Sequence, residues 1–207
     1  MSFPPIYYIN LEGRPDRRQH IESEIAKLGI SGINVIRVDA VSKPGFGALG
    51  CGLSHVKSLN MFLESDANEC IILEDDFTFK DEHVEFCKKA IRTIVGAGDK
   101  AKYDVLMLAA NTRITEPCKV SYLTRIKFAF TTSGYMITRK FASTLRDNFK
   151  EACDGLERTG HVIPQYCIDV YWRKLQQENI FYTLNPIVGY QYANYSDIEQ
   201  KFTDYGV

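Results

Sequence analysis

Four short apolar runs, separated by helical patterns, constrain this chain more than any other feature. IYYINL (residues 6–11), INVIRVDA (33–40), CIILE (70–74) and YDVLMLAA (103–110) are rich in Ile, Val, Leu and Tyr, as buried strands are. Between the first two lies GRPDRRQHIESEIAKLG, with Pro15 suited to a first helical turn, Ile21, Ile25 and Leu28 on one face, and Gly29 as a stop. Ser54 is positioned to cap a helix carrying Val56, Leu59 and Phe62 or Leu63. A helix from about Asp81 to Val95 presents Val84, Cys87, Ile91 and Ile94. KFAFTTSGYMIT (127–138) reads as one or two further strands. Helices follow near 139–150 and 165–178, then strand IFYTL (180–184) and a Tyr-rich tail. Such alternation predicts an α/β domain with a mostly parallel central sheet and helices on both faces. The length of 207 residues, 45% of them hydrophobic, suits one domain over 1–207. The nearest approach to a boundary is a loop from Asn111 to Val120.

The third apolar run poses the chemical question. CIILEDDFTF places Glu74, Asp75 and Asp76 together at the exit of a buried strand. Ligands of open α/β sheets sit beyond strand carboxyl ends. Adjacent carboxylates repel unless a counter-charge is present, and a hard divalent cation supplies one. The bland alternative is that the acids cap a turn and face water. If the strand continued, Asp75 would point to the face opposite Glu74 and Asp76.

A rival pattern precedes the acids. Gly45-Phe-Gly47-Ala-Leu-Gly50 is a G-x-G-x-x-G stretch in a Gly-rich loop (41–52), with Glu74 ending the next strand 24 residues past Gly50. This is the layout of an NAD-binding enzyme. Against it, Val41 to Pro44 separate the strand from the first glycine, and one acid suffices for a ribose diol. The plain reading of the glycines is a surface loop.

Charge and cysteine content narrow the class. A net charge of −1 gives no electrostatic case for nucleic acid or an anionic membrane. No apolar run approaches the roughly 20 residues of a membrane span, and the N-terminus lacks signal-peptide form. Cysteines 51, 70, 87, 118, 153 and 167 show no C-x-x-C spacing, which predicts reduced thiols rather than a zinc site, and a cytoplasmic setting, free or peripheral to a membrane.

YYINLEGRPDRRQHI, GCGLSH (50–55), ILEDD (72–76), YDVLML (103–108), SGYMITRKFASTL (133–145) and SDI (196–198) occur in that order, and together they resemble the family 25 glycosyltransferases. That family includes lipooligosaccharide galactosyltransferases and procollagen galactosyltransferase-like proteins. The resemblance implies a GT-A-like fold, a UDP-sugar donor carrying galactose or glucose, and transfer with inversion to a glycan or hydroxylysine-like hydroxyl. It also implies Mn²⁺ or Mg²⁺ at the acid motif. On that basis Asp76 is the first metal ligand, Glu74 or Asp75 supports it or binds the ribose, and Asp197 or Gln191 completes the shell. The nucleoside end falls to Asn10, Leu11, Arg14 and Arg17, with Asp39 at the same sheet edge. Gly50 to His55 lets backbone approach the donor. Ser54 is more naturally a cap than a ligand, and His55 serves as either a phosphate contact or a structural residue. His20, His83 and His161 read as surface or loop residues. Asp169, among Ile168, Val170, Tyr171 and Trp172, matches the family's late acid and is the candidate general base. Trp172 is either a sugar-stacking ring or core, and Tyr190, Tyr192 and Tyr195 either cover the donor or pack as a flap. The compact chain leaves little sequence for an acceptor region, so a non-catalytic nucleotide-sugar or carbohydrate-binding module is the alternative from another class.

Overall fold

The computed structural model describes residues 3–196 and 201–203. Its elements are β1 (Ile6–Asn10), α1 (Pro15–Lys27), β2 (Val35–Asp39), α2 (Gly47–Glu64), β3 (Glu69–Glu74), β4 (Phe77–Phe79), α3 (Val84–Ala97), β5 (Val105–Met107), β6 (Asn111–Pro117), β7 (Leu123–Phe130), β8 (Gly134–Thr138), α4 (Arg139–Thr159), α5 (Ile168–Tyr171), α6 (Arg173–Glu178), β9 (Phe181–Leu184), β10 (Gly189–Gln191), β11 (Asn194–Ser196) and β12 (Lys201–Thr203).

Eight strands form the central sheet in the order β2-β1-β3-β8-β5-β9-β7-β6. β1 pairs in parallel with both β2 and β3, and β5 with β9. Only β8 and β7 run against the others, which makes their pairings with β3, β5, β9 and β6 antiparallel. The sheet is thus mostly parallel in strand direction, with reversed strands at its fourth and seventh positions.

Period-2 alternation explains how both faces are filled. Tyr7, Ile9, Cys70, Ile72, Val105, Met107, Tyr135 and Ile137 point to one face, where Leu59 and Phe62 of α2 and Phe141, Leu145 and Phe149 of α4 cover them. Ile6, Tyr8, Ile71, Leu73, Leu106 and Met136 point to the other, against Ile21 and Ile25 of α1 and Val84, Cys87, Ile91 and Ile94 of α3. A sheet dressed on both faces by helices is the expected α/β arrangement.

Several boundaries differ from expectation; the helix expected near 139–150, α4, continues to Thr159. Residues 111–117 form the edge strand β6, not a loop, because β7 offers them a hydrogen-bonding partner. The helix expected over 165–178 is broken into α5 and α6, with Trp172 at the joint. α2 starts at Gly47, inside the stretch expected to be loop, so Ser54 is not its cap. Ser54 is buried in mid-helix, where its hydroxyl accepts from the Val41 amide at 2.8 Å and donates to the Gly50 carbonyl at 2.7 Å. Packing accounts for Gly50 and Gly52. A Cβ on Gly50 would lie 2.5 Å from the Val41 oxygen, and one on Gly52 would lie 2.6 Å from Cys153 Sγ, where α2 crosses α4. Gly45 takes φ +74°, which glycine favours, so Gly45 and Gly50 of the G-x-G-x-x-G pattern have structural reasons of their own.

Candidate functional site

β1, β2 and β3 end side by side, and the acids sit at that edge. β3 stops at Glu74, so Asp75 and Asp76 lie in the turn before β4 and the strand alternation expected for them does not apply. Each acid has its own surroundings. Glu74 Oε1 accepts a 2.8 Å hydrogen bond from the Thr132 hydroxyl and lies 3.2 Å from His55 Nε2. Asp75 accepts from Asn10 Nδ2 at 2.8 Å and from Arg17 Nη1 at 2.9 Å. Asp76 Oδ2 accepts from Gln191 Nε2 at 3.0 Å and lies 3.5 Å from Arg17 Nη1, while its Oδ1 is buried without a hydrogen-bond partner among the described residues.

The electrostatics follow from this packing. Burial, and then the neighbouring Glu74, push Asp76 up to about 7. Burial also raises Asp75, against the pull of Arg17. For Glu74 burial is again the largest influence, but the bonds and charge from His55 and the Thr132 bond outweigh it, and the net direction is down.

Two cavities open on these acids. One, of about 340 Å³, is walled by Asn10, Leu11, Arg17, the 40–45 loop and the first turns of α2. The other, of about 390 Å³, is walled by Asn111, Phe130, Thr131, Thr132 and residues 167–170. Cys51, Glu74 and Gln191 line both, so the two halves meet over the acid cluster. Asp169 stands in the second half, in the first turn of α5. Burial and then Glu74 raise its pKa.

The structure thus gathers Asn10, Leu11, Arg17, Ser54, His55, Glu74, Asp75 and Asp76 around the first half and Asp169 in the second. It does not bring Arg14 and Asp39 to the cavity walls. The Arg14 guanidinium turns to Asp16 at the start of α1, and Asp39 is exposed and paired with Arg37. Arg17 lines the wall but is committed to Asp75 and Asp76, so it serves as their counter-charge. Trp172 is core, fully buried against Tyr135, Phe149 and Phe181, and offers no ring to a sugar. His20 is half-buried rather than on the surface: its Nε2 lies 3.1 Å from the Phe77 carbonyl oxygen, and its ring sits 4.3 Å from that of Tyr192. Asp197 lies outside the described residues. Sequence reasoning missed Cys51, Asn111, Thr131 and Thr132. The hydroxyl-rich TTS before β8 was the available signal, since β8 runs back from the carboxyl end of β3. Thr131 adopts φ +74°, a strained conformation for a β-branched residue, and such strain concentrates at functional sites.

An α/β sheet of this order, with an acid cluster under a two-part cleft at its strand ends, is a GT-A-like domain. A family model described as glycosyltransferase family 25 (LPS biosynthesis protein) matches residues 43–157, more than half of the chain, and the chain belongs to that family. It is 27% identical over 173 residues to a glycosyltransferase 25 family member of Drosophila melanogaster, covering 70% of this chain and 28% of the fly protein. It is 25% identical over 178 residues to human procollagen galactosyltransferase 2, again over 70% of this chain and 28% of the relative. The chain therefore spans less than a third of the length of these curated relatives. Among solved structures, the glycosyltransferase GlyE of Streptococcus pneumoniae TIGR4 superposes with a TM-score of 0.50 at 9% identity, covering 89% of this chain and 45% of that one, a likeness of fold. No helix among the described residues is long and apolar enough to cross a membrane.

Proposed function

We propose that this domain is a metal-assisted, inverting glycosyltransferase that moves a hexose from a UDP-sugar to a hydroxyl of a glycan or a hydroxylysine-like side chain. The observation that carries the reading is Asp76. Its buried Oδ1 has no hydrogen-bond partner among the described residues, and it is held beside Glu74 where the two halves of the cleft meet. One guanidinium, Arg17, is shared between Asp75 and Asp76 and does not offset three acids, and hard oxygen donors suit Mn²⁺ or Mg²⁺. Asp76 and Glu74 would hold the cation. Bound there, it would neutralise the charge of the departing diphosphate.

The chain's own residues supply the rest. The half walled by Leu11 and the 40–45 loop takes the nucleotide, with the positive end of α2 at Gly47 toward the phosphates. Arg17 and Asn10 hold Asp75 and so fix the acid turn. In the other half Asp169 takes the proton of the acceptor hydroxyl. The acceptor oxygen then bonds to the anomeric carbon as the bond from that carbon to the diphosphate oxygen breaks. The galactose or glucose and the acceptor class rest on family membership and on the human relative's name.

The test is calorimetry of UDP with wild type and Asp76→Ala, in Mn²⁺ and in chelator. Wild type should bind UDP more tightly with Mn²⁺, and Asp76→Ala should show no metal dependence. Equal wild-type affinity under both conditions would overturn the reading.

A further inference from the structure

Cys51 and His55 lie one helical turn apart on the same face of α2, directly over Glu74 at the end of β3. Cys51 Sγ, a His55 ring nitrogen and a Glu74 carboxylate oxygen all lie within 4.8 Å of one another. This donor set is not one a hard cation selects: thiolate and imidazole favour Zn²⁺ and Co²⁺ over Mg²⁺ and Mn²⁺. We propose that Cys51, His55 and Glu74 form a second metal site, specific for a soft divalent cation such as Zn²⁺, at the junction of the two cavities.

The surrounding bonds fit ligands held in place. His55 is fully buried, and its Nδ1 lies 3.0 Å from the Tyr135 hydroxyl. With an ion on Nε2, Nδ1 carries the proton and donates it to the Tyr135 oxygen, the arrangement usual for a metal-bound histidine. The Thr132 hydroxyl fixes Glu74 from the other side. Two ligands come from one helix and the third from a strand end, all on rigid elements. Three protein ligands leave a fourth position open, and Cys51 and Glu74 both border the cleft, so that position faces it. Glu74 is shared with the site proposed for the hard cation. Zn²⁺ binding itself does not depend on the glycosyl-transfer reading.

Cobalt titration tests the site, because a thiolate–Co²⁺ bond gives a near-ultraviolet charge-transfer band. Metal-free wild type should develop that band with one Co²⁺ per chain and lose it on adding Zn²⁺. Cys51→Ser should lack the band and bind Zn²⁺ at least the roughly 10–100-fold more weakly that loss even of an outer-shell partner costs. Asp76→Asn should keep it. A band that persists in Cys51→Ser would assign the metal to another cysteine and overturn the proposal. A second measurement uses wild type alone, whether or not the variant folds: alkylation of Cys51, read by peptide mass spectrometry, should be slowed by Zn²⁺ and not by Mn²⁺. Equal labelling with and without Zn²⁺ would leave His55 and Glu74 as a structural hydrogen-bonded pair and reject the site.

Discussion

At the scale of single residues, Asp76 sets the pH behaviour of the metal-free protein. Burial and Glu74 hold its carboxyl at about 7, well above an unfolded aspartate near ~4. The folded state therefore keeps the proton more readily than the unfolded chain. Its contribution is fully present below pH ~4 and is lost as pH rises through about 7. A shift of about three units corresponds to a few kcal/mol at most. In chelator, wild type should lose thermal stability between pH 5 and pH 8. Asp76→Asn, which removes the buried charge but keeps the shape, should flatten that slope and melt higher than wild type at pH 8. Adding Mn²⁺ at pH 8 should restore wild type and leave the variant unchanged. Parallel melting curves for the two proteins across this range would show that the acid cluster is neutralised by its protein neighbours alone.

Among elements, the pairing of β10 with β4 ties the segment after β9 to the acids. Gly189 lies against Phe77 so closely that a Cβ would sit 2.4 Å from the ring. Gln191 donates to Asp76 Oδ2, and the Tyr192 amide donates to the Asp76 carbonyl. None of these residues belongs to the eight-stranded sheet. Truncation after Val188 should therefore leave a cooperatively melting fold by circular dichroism, while the stabilisation by UDP with Mn²⁺ shrinks. A truncated chain without cooperative melting would make β10 part of the folding core instead. The same elements show what the sequence could reveal. β1, β3 and β5 were legible because they are short, continuous apolar runs buried on both faces, and the helices α1 and α3 because each carries one apolar face. The acid cluster was legible because three carboxylates cannot share a strand exit without a reason. Contacts across the fold were not. Ser54 carries the composition of a cap, yet it bonds Val41 from mid-helix, and nothing local marks that. Residues 111–117 look like a loop until β7 pairs with them. Thr132 reaches Glu74 only because β8 runs antiparallel to β3, and a single apolar run does not encode strand direction.

For the whole molecule, the two halves of the cleft are lined by different acids. Glu74 borders both halves, Asp76 only the half with Asn10 and Leu11, and Asp169 only the half with Asn111 and Phe130. If the first half takes the nucleotide, Asp169 meets the acceptor and not the diphosphate. Asp169→Asn is nearly isosteric and removes a carboxylate whose charged form burial already disfavours, so folding should survive. The amide cannot take a proton, and transfer should fall by roughly 10²–10⁴-fold, the usual range for loss of a general base. UDP affinity in Mn²⁺ should stay within a few-fold of wild type by calorimetry. Wild-type turnover should fall toward low pH, as the raised pKa of Asp169 leaves less of it ionised, and Asp169→Asn should lose that limb of the profile. Turnover near the wild-type rate would make Asp169 a structural acid of α5. Loss of UDP binding in the same variant would move Asp169 to the nucleotide side, and the acceptor half would then need its base from Glu74, the carboxylate that borders both cavities.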